Sequence, residues 1–419
     1  MTRTTQLLAA AALGLTLGIG ACDHDQLNRP FGNVAIDPLF ERYVSMGNSI
    51  TAGFQSGGID SSVQMQAYPV LLARAMRSPV FAPTMRFPGC PPQYTNVFTQ
   101  ARVTPPGFPA STSTSCFLRA SPRLPPPYVS NTAVPGAAVI DVYDNLDSES
   151  SANALTTFIL GGLTQVQMAG RGDPTFVSIW IGNNDVLGAV LDLTNSGDPT
   201  QITAAAAFTQ RYAAMMDSVD ELGPAGGILI GVANVTAIPY VTPGATYFAI
   251  KNGLVPGAPP LPPTFTVSTN CAPIATGIPG ARGDSVLVPF PYGGALLAAA
   301  AAGAATNLDC ADSVAAVIVP SELVRLVTAV AAYNGAIQAE ATARGWAYLN
   351  PNPTLDSLRA IPTQVAPFPN FGAACSASPF GLAFSCDAVH PSSATHRLIA
   401  RKIAAAINTE YGTNIPPIP

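Results

Sequence analysis

The seven residues Thr175–Ile181 read Thr-Phe-Val-Ser-Ile-Trp-Ile, a nearly unbroken apolar run that stops at Gly182. A strand that faces water on one side alternates polar and apolar residues. A short continuous run is instead the pattern of a strand buried on both faces, and such strands belong to parallel sheets covered by helices. Three further segments fit the same sheet: Tyr43–Met46, which leads into a glycine turn, Gly227–Val235 and Trp346–Leu349. Helical patterns lie between and after them, at Ala204–Leu222, Ser321–Arg344 and Ala394–Tyr411, with Ser321 as the expected N-cap of the second. Strands separated by helices predict βαβ units, and therefore an α/β protein with helices on both faces of a parallel sheet.

Three stretches rich in Pro, Gly, Ser and Thr interrupt this rhythm, at residues 55–67, 86–128 and 243–288. They show no second periodic core, so they read as insertions, around 55–130 and 243–320, in one domain spanning 37–419. The run Ala295–Ala305 is almost entirely alanine and fits either a packed helix or low complexity. Only 10% of the 419 residues are charged and the formal net charge is −5. That excludes a disordered chain and gives no electrostatic footprint for nucleic acid.

The N-terminus reads as an address label. Arg3, the apolar stretch Leu7–Ile19 and the sequence Ile19-Gly20-Ala21-Cys22 resemble a bacterial lipoprotein signal. The stretch is too short to span a bilayer comfortably, which favours a cleaved signal over a transmembrane helix. Residues 1–21 are then the signal peptide, Cys22 the lipidation site and 22–36 a tether, which places the protein in the cell envelope on a lipid anchor. Six cysteines remain: Cys90, Cys116, Cys271, Cys310, Cys375 and Cys386. Six allow 15 connectivities; proximity favours Cys90–Cys116, Cys271–Cys310 and Cys375–Cys386, each formed in an oxidising compartment. With His24, His390 and His396 as the only histidines and no C-x-x-C spacing, no metal site is expected.

Open α/β sheets bind ligands beyond the carboxyl ends of their strands. Beyond the first strand stands Gly47-Asn48-Ser49-Ile50, beyond the apolar run stands Gly182-Asn183-Asn184-Asp185, and before the last helix stands Asp387-Ala388-Val389-His390-Pro391. Between the first two lies Asn131-Thr132-Ala133-Val134-Pro135-Gly136-Ala137. Taken in chain order, these four segments resemble the SGNH (GDSL) hydrolases, whose marks are a serine in G-D-S-L, a glycine, the asparagine of G-x-N-D and a histidine in D-x-x-H. The resemblance runs from about Arg42 to the C-terminus apart from the insertions. It implies a flavodoxin-like three-layer α/β/α fold and carboxylic ester hydrolysis through an acyl-serine intermediate. Ser49, His390 and Asp387 are the implied triad, and Ser49, Gly136 and Asn184 the implied oxyanion hole. Asn48 stands where the family usually has aspartate, which is expected to tune the turn while Asp387 serves as the triad acid.

Each residue also has a plainer reading. Ser49 alone fits a helix N-cap, Asn184 and Asp185 alone fit turn residues, and His396 fits a surface or packing residue of the last helix. Gly283-Asp284-Ser285-Val286 is closer in letters to G-D-S-L but follows no strand, precedes no helix and comes after the other marks, so it reads as chance. Ser49 is not in a G-x-S-x-G elbow, since Thr51 stands at the second glycine position. The two Arg-Gly-Asp triplets, at 171–173 and 282–284, read as turns. The expected partners are a small-molecule or lipid ester and the membrane that holds the anchor, with no cofactor and no obligate protein partner. The apolar, Pro-rich insertions favour a lipid or aromatic ester over a sugar. Two rival functions use the same sequence: an acyltransferase or deacetylase acting on envelope glycans, and a non-catalytic envelope binding protein.

Overall fold

A computed structural model of the chain describes residues 36–82, 84–116, 128–255 and 258–419. The expected signal peptide, Cys22 and nearly all of the expected tether lie outside the described residues. Four strands form the central sheet: β1 (Tyr43–Gly47), β2 (Phe176–Trp180), β3 (Gly226–Ile230) and β4 (Ala347–Leu349). All pair in parallel and in chain order, with Tyr43 opposite Phe176, Phe176 opposite Gly226 and Ala347 opposite Ile228. A further segment runs along the free edge of β1. Ser45 N–H donates to Ser130 O at 2.9 Å, Thr132 N–H to Ser45 O at 2.9 Å and Val134 N–H to Gly47 O at 3.2 Å. The chain thus crosses to one side of β1 at Ser130–Val134 and to the other side at β2. This reversal opens a crevice at the carboxyl end of β1.

The side chains of the sheet alternate between two cores, as a strand period of two requires. Val44, Met46, Val177, Ile179 and Leu229 face one way and pack with Met215 and Tyr333. These partners come from the helices Ala205–Asp220 and Pro320–Arg344. Tyr43, Phe176, Trp180, Ile228 and Ile230 face the other way and pack with Leu72 and Ile403, from helices Tyr68–Met76 and Ser393–Tyr411. A parallel sheet flanked on both faces by helices is therefore the architecture, compatible with an α/β/α arrangement.

Observed and expected elements agree closely, with two corrections. The long helix begins at Pro320, and its cap is reached from the other direction: Glu322 accepts from Val319 N–H at 2.8 Å, so Ser321 is not the N-cap. Of the two readings open for His396, surface or packing, it is the packing one that holds: the residue lies fully buried on the final helix. The second insertion, read as lacking a core, has one of its own. Tyr247, Phe265, Val286, Val288, Leu297 and Leu308 bury against each other around the Cys271–Cys310 disulfide. Its strands are three residues long, and Phe265–Val267 pairs with Thr306–Leu308, so no local period announces it. The alanine-rich run forms the helix Phe290–Ala301 on this core. All three proximity pairings of the cysteines are present, Cys90–Cys116, Cys271–Cys310 and Cys375–Cys386.

Candidate active site

The carboxyl end of β1 turns into one turn of helix, Ser49–Ala52. Its cap is Asn48, whose Oδ1 accepts from Ile50 N–H at 3.1 Å, so Ser49 is released from the capping role. The turn is fixed from both sides. Buried Gln165 brackets the last residue of the strand, its Oε1 accepting from Gly47 N–H and its Nε2 donating to Gly47 O, both at 2.9 Å. Asn131 Nδ2 donates to Thr51 O at 2.8 Å from the neighbouring segment. A backbone pinned this way presents the Ser49 side chain in one place.

His390 meets it from the loop before the last helix. Its Nε2 lies 2.9 Å from Ser49 Oγ, and its Nδ1 lies 2.9 Å from Asp387 Oδ2. Residues 341 positions apart are thereby joined in one chain of hydrogen bonds. Asp387 is enveloped in donors. Oδ1 accepts from Ser385 Oγ and from the backbone N–H of Val389 and His390, at 3.0, 3.0 and 2.9 Å. Oδ2 accepts from Gly57 N–H at 2.7 Å as well as from His390. Burial pushes its pKa up, but the neighbouring His390 and these hydrogen bonds outweigh it and hold the carboxyl at about 2. An ionised carboxylate only accepts, so the imidazole carries its proton on Nδ1 and leaves Nε2 free to accept from the Ser49 hydroxyl. The tautomer is thus dictated by the acid.

Gly136 and Asn184 close the other side. Gly136 lies exposed at the groove with φ +90°, a backbone that an L side chain rarely adopts. Asn184 starts the helix Asn184–Leu191 beyond β2 and donates from Nδ2 to Ala137 O at 2.8 Å. An amide nitrogen carries two hydrogens, so one ties the asparagine to the Gly136 loop and the second remains to point outward. Asp185 braces the same loop, its Oδ2 accepting from Val139 N–H at 3.0 Å and its Oδ1 from Thr203 Oγ1 at 3.0 Å. Burial raises the Asp185 carboxyl to about 6, above what its hydrogen bonds and Arg211 recover. The sequence marked Asp185 only as a turn residue; it is a buried strut.

Several residues that carry the geometry had no signal in the sequence. A four-residue loop at 55–58 docks onto the loop that carries Asp387 and His390. Ser56 N–H donates to Ser385 Oγ at 2.8 Å, Cys386 N–H donates to Ser56 Oγ at 3.1 Å, and Ser393 Oγ donates to Gln55 Oε1 at 3.0 Å. Arg102 supports that loop, donating from Nη1 to Gly57 O at 2.8 Å while its guanidinium stacks 3.9 Å over the Tyr94 ring. The Cys375–Cys386 disulfide, which the cysteine spacing did anticipate, closes an 11-residue span immediately before Asp387. Phe54 packs against the His390 ring at 4.9 Å between centroids.

The other candidates resolve plainly. Ser285 Oγ donates to Arg282 O at 3.2 Å within a short 3-10 turn and takes no part in the site. Arg282 pairs with Asp312 and packs the insertion, and Gly172 and Asp173 close a turn onto the preceding helix. His396 accepts from Tyr68 N–H at 3.3 Å on Nδ1. Burial first, and the charge of His390 second, lower its pKa to about 3, so it is a neutral core residue. Among the described residues no cluster of His, Cys, Asp or Glu is placed to hold a metal ion, and no helix is long and apolar enough to cross a membrane. No protein-family model matches the chain, and no curated protein matches it. The chemistry of this site therefore rests on its own geometry.

Proposed function

We propose that the chain is a carboxylic ester hydrolase of the SGNH type, acting through an acyl-Ser49 intermediate. The observation that carries this reading is the unbroken relay from Ser49 Oγ through His390 to Asp387, with 2.9 Å at each step. A neutral alcohol attacks an ester slowly, and a base within hydrogen-bond reach removes its proton as the bond forms. Ser49 Oγ bonds to the carbonyl carbon while its proton passes to His390 Nε2. When the C–O bond to the alcohol breaks, that proton goes to the departing oxygen. Water then repeats the sequence on the acyl-enzyme, releasing the acid and restoring Ser49. Asp387 stays ionised throughout and stabilises the imidazolium.

The negative charge that develops on the carbonyl oxygen is met, in this reading, by the backbone N–H groups of Ser49 and Gly136 and by Asn184 Nδ2. Each such donor is worth about 3–4 kcal/mol in the transition state. The order of segments across the sheet, Ser130–Val134, β1, β2, β3, β4, supports a flavodoxin-like doubly wound fold, with Ser49 and Asn184 at its switch point. The three disulfides fit an oxidising, exported environment. Lipidation at Cys22 completes the proposal as an envelope enzyme.

The test is covalent. A fluorophosphonate incubated with the protein is expected to modify Ser49, as mapped by peptide mass spectrometry, and to leave His390→Ala unmodified. Modification of Ser285, or no modification of a folded protein, overturns the assignment.

A further inference from the structure

Two cavities of very different size meet at the nucleophile. The larger, about 1840 Å³, is lined in part by Ser49, Gly136, Asn184 and His390. It exceeds the roughly 300–1,000 Å³ of an ordinary small-molecule site. Its walls come largely from the insertions, through the helices Gly244–Lys251 and Phe290–Ala301 and the hairpin around Tyr94–Asn96, with the loop 367–372 beside them. Beyond the site residues, its polar side chains are Tyr94, Thr99, Gln100, Tyr240, Thr246 and Asn370, and none of the lining residues is Lys, Arg or Glu. Such walls offer neither counter-charge for a phosphate head group nor the dense hydrogen bonding that a glycan needs.

The smaller cavity, about 90 Å³, ends on the same Ser49, Asn184 and His390 and is walled mainly by apolar side chains such as Val235, Ile238, Leu355 and Leu358, with Asn48, Asn183, Thr354 and Thr395 also in its lining. Its one charged residue, Lys402, is solvent-exposed. A dry apolar cavity of ~150 Å³ takes up benzene, so this one has room for a group of about one to three carbons.

Resting on the ester-hydrolase reading, we propose that the site selects esters with one long aliphatic arm and one short one. The long arm lies in the groove that the insertions build, and the short arm fills the small cavity. The helices at 244–251 and 290–301 are then specificity elements, and the core around Cys271–Cys310 exists to hold them in place.

Two matched ester series test this below their micellar concentrations, with proton release at constant pH as the readout. One is ethyl esters of straight-chain acids and the other acetate esters of straight-chain alcohols, each from four to twelve carbons. In at least one series kcat/KM is expected to rise by about two- to fourfold per methylene, since each buried CH2 contributes up to ~0.8 kcal/mol. Dodecyl dodecanoate, long on both sides, is expected to be cleaved poorly. Ala249→Trp and Ala298→Trp, which fill the groove from its two helices, should lower the ratio of twelve-carbon to four-carbon rates by about tenfold or more. Leu358→Ala should admit a butyl group as the shorter arm. A flat length profile in both series, or ready cleavage of the doubly long ester, overturns the inference while leaving the hydrolase intact. If no ester is cleaved and Ser49 takes no fluorophosphonate, the hydrolase reading itself fails.

Discussion

The backbone N–H of Gly57 donates at 2.7 Å to Asp387 Oδ2, the same oxygen that accepts from His390 Nδ1, across 330 positions of sequence. One oxygen thus receives a donor from each of two loops, and the angle of the imidazole depends on both. The contact leaves little slack. Gly57 has φ +65°, and a Cβ there would stand 2.2 Å from the Tyr94 ring, the ring on which Arg102 stacks. Gly57→Ala is therefore expected to shift the loop and tilt His390. Misplacement by about 1 Å costs up to ~100-fold in rate. Steady-state kinetics should show the loss in kcat with KM little changed, and an unaltered kcat would show that the loop is dispensable.

Asp387→Asn keeps the shape of the acid but reverses the tautomer. The asparagine amide donates where the carboxylate accepts, so Nδ1 loses its proton and Nε2 no longer accepts from Ser49. A fall in kcat of about 10⁴ is expected, with Ser49→Ala and His390→Ala falling at least as far. Stability carries a second signature. A carboxyl held at about 2 in the fold against 3.8 outside it stabilises the native state above pH 3.8, and this is lost as pH falls through 2. Acid unfolding of wild type and Asp387→Asn should converge at the low end of that window.

Asn184→Ala removes the proposed oxyanion donor and also frees Ala137 O. Turnover is expected to drop by about 10²–10³, as for loss of a comparable donor. Fluorophosphonate labelling of Ser49 should slow in parallel. Retained turnover would assign the asparagine to loop support alone.

Asp185 predicts the opposite pH behaviour to Asp387. Its folded pKa, raised to about 6, lies above the unfolded value of 3.8. The protonated form is favoured in the fold, so its stabilisation is complete below pH 3.8 and lost as pH rises through 6. The shift corresponds to about 3 kcal/mol at 1.36 kcal/mol per pKa unit. Asp185→Asn should flatten the stability profile between pH 4 and 6, measured by denaturant midpoints. An unchanged slope would place the titration elsewhere.

Replacing both Cys375 and Cys386 by serine should cost roughly 3 kcal/mol, the loop-closure value for a span of this length. Because Cys386 N–H also binds Ser56 Oγ, kcat is expected to fall in the variant at temperatures where it remains folded. Full turnover in that variant would separate the staple from catalysis.

The sequence by itself determined the sheet and its two-faced burial, and its resemblance to the SGNH hydrolases singled out the candidate nucleophile, base and acid. These are local signals. A strand buried on both faces must be apolar throughout, and the residues that follow its carboxyl end are the ones a parallel sheet presents to a ligand. Cysteine spacing likewise anticipated the three bridges, because short loops close most readily. The tertiary structure alone decided the rest. Gln165, Ser56, Gly57 and Arg102 hold the site through backbone contacts that depend on which loops the fold brings together, and such contacts leave no period or motif. Whether His396 lay at the surface or in the core turned on which face of its helix met Tyr68. The insertion core was hidden for the same reason. Phe265 and Leu308 acquire a shared interior only when strands 41 residues apart pair, and burial is a property of the assembled chain rather than of any stretch of it.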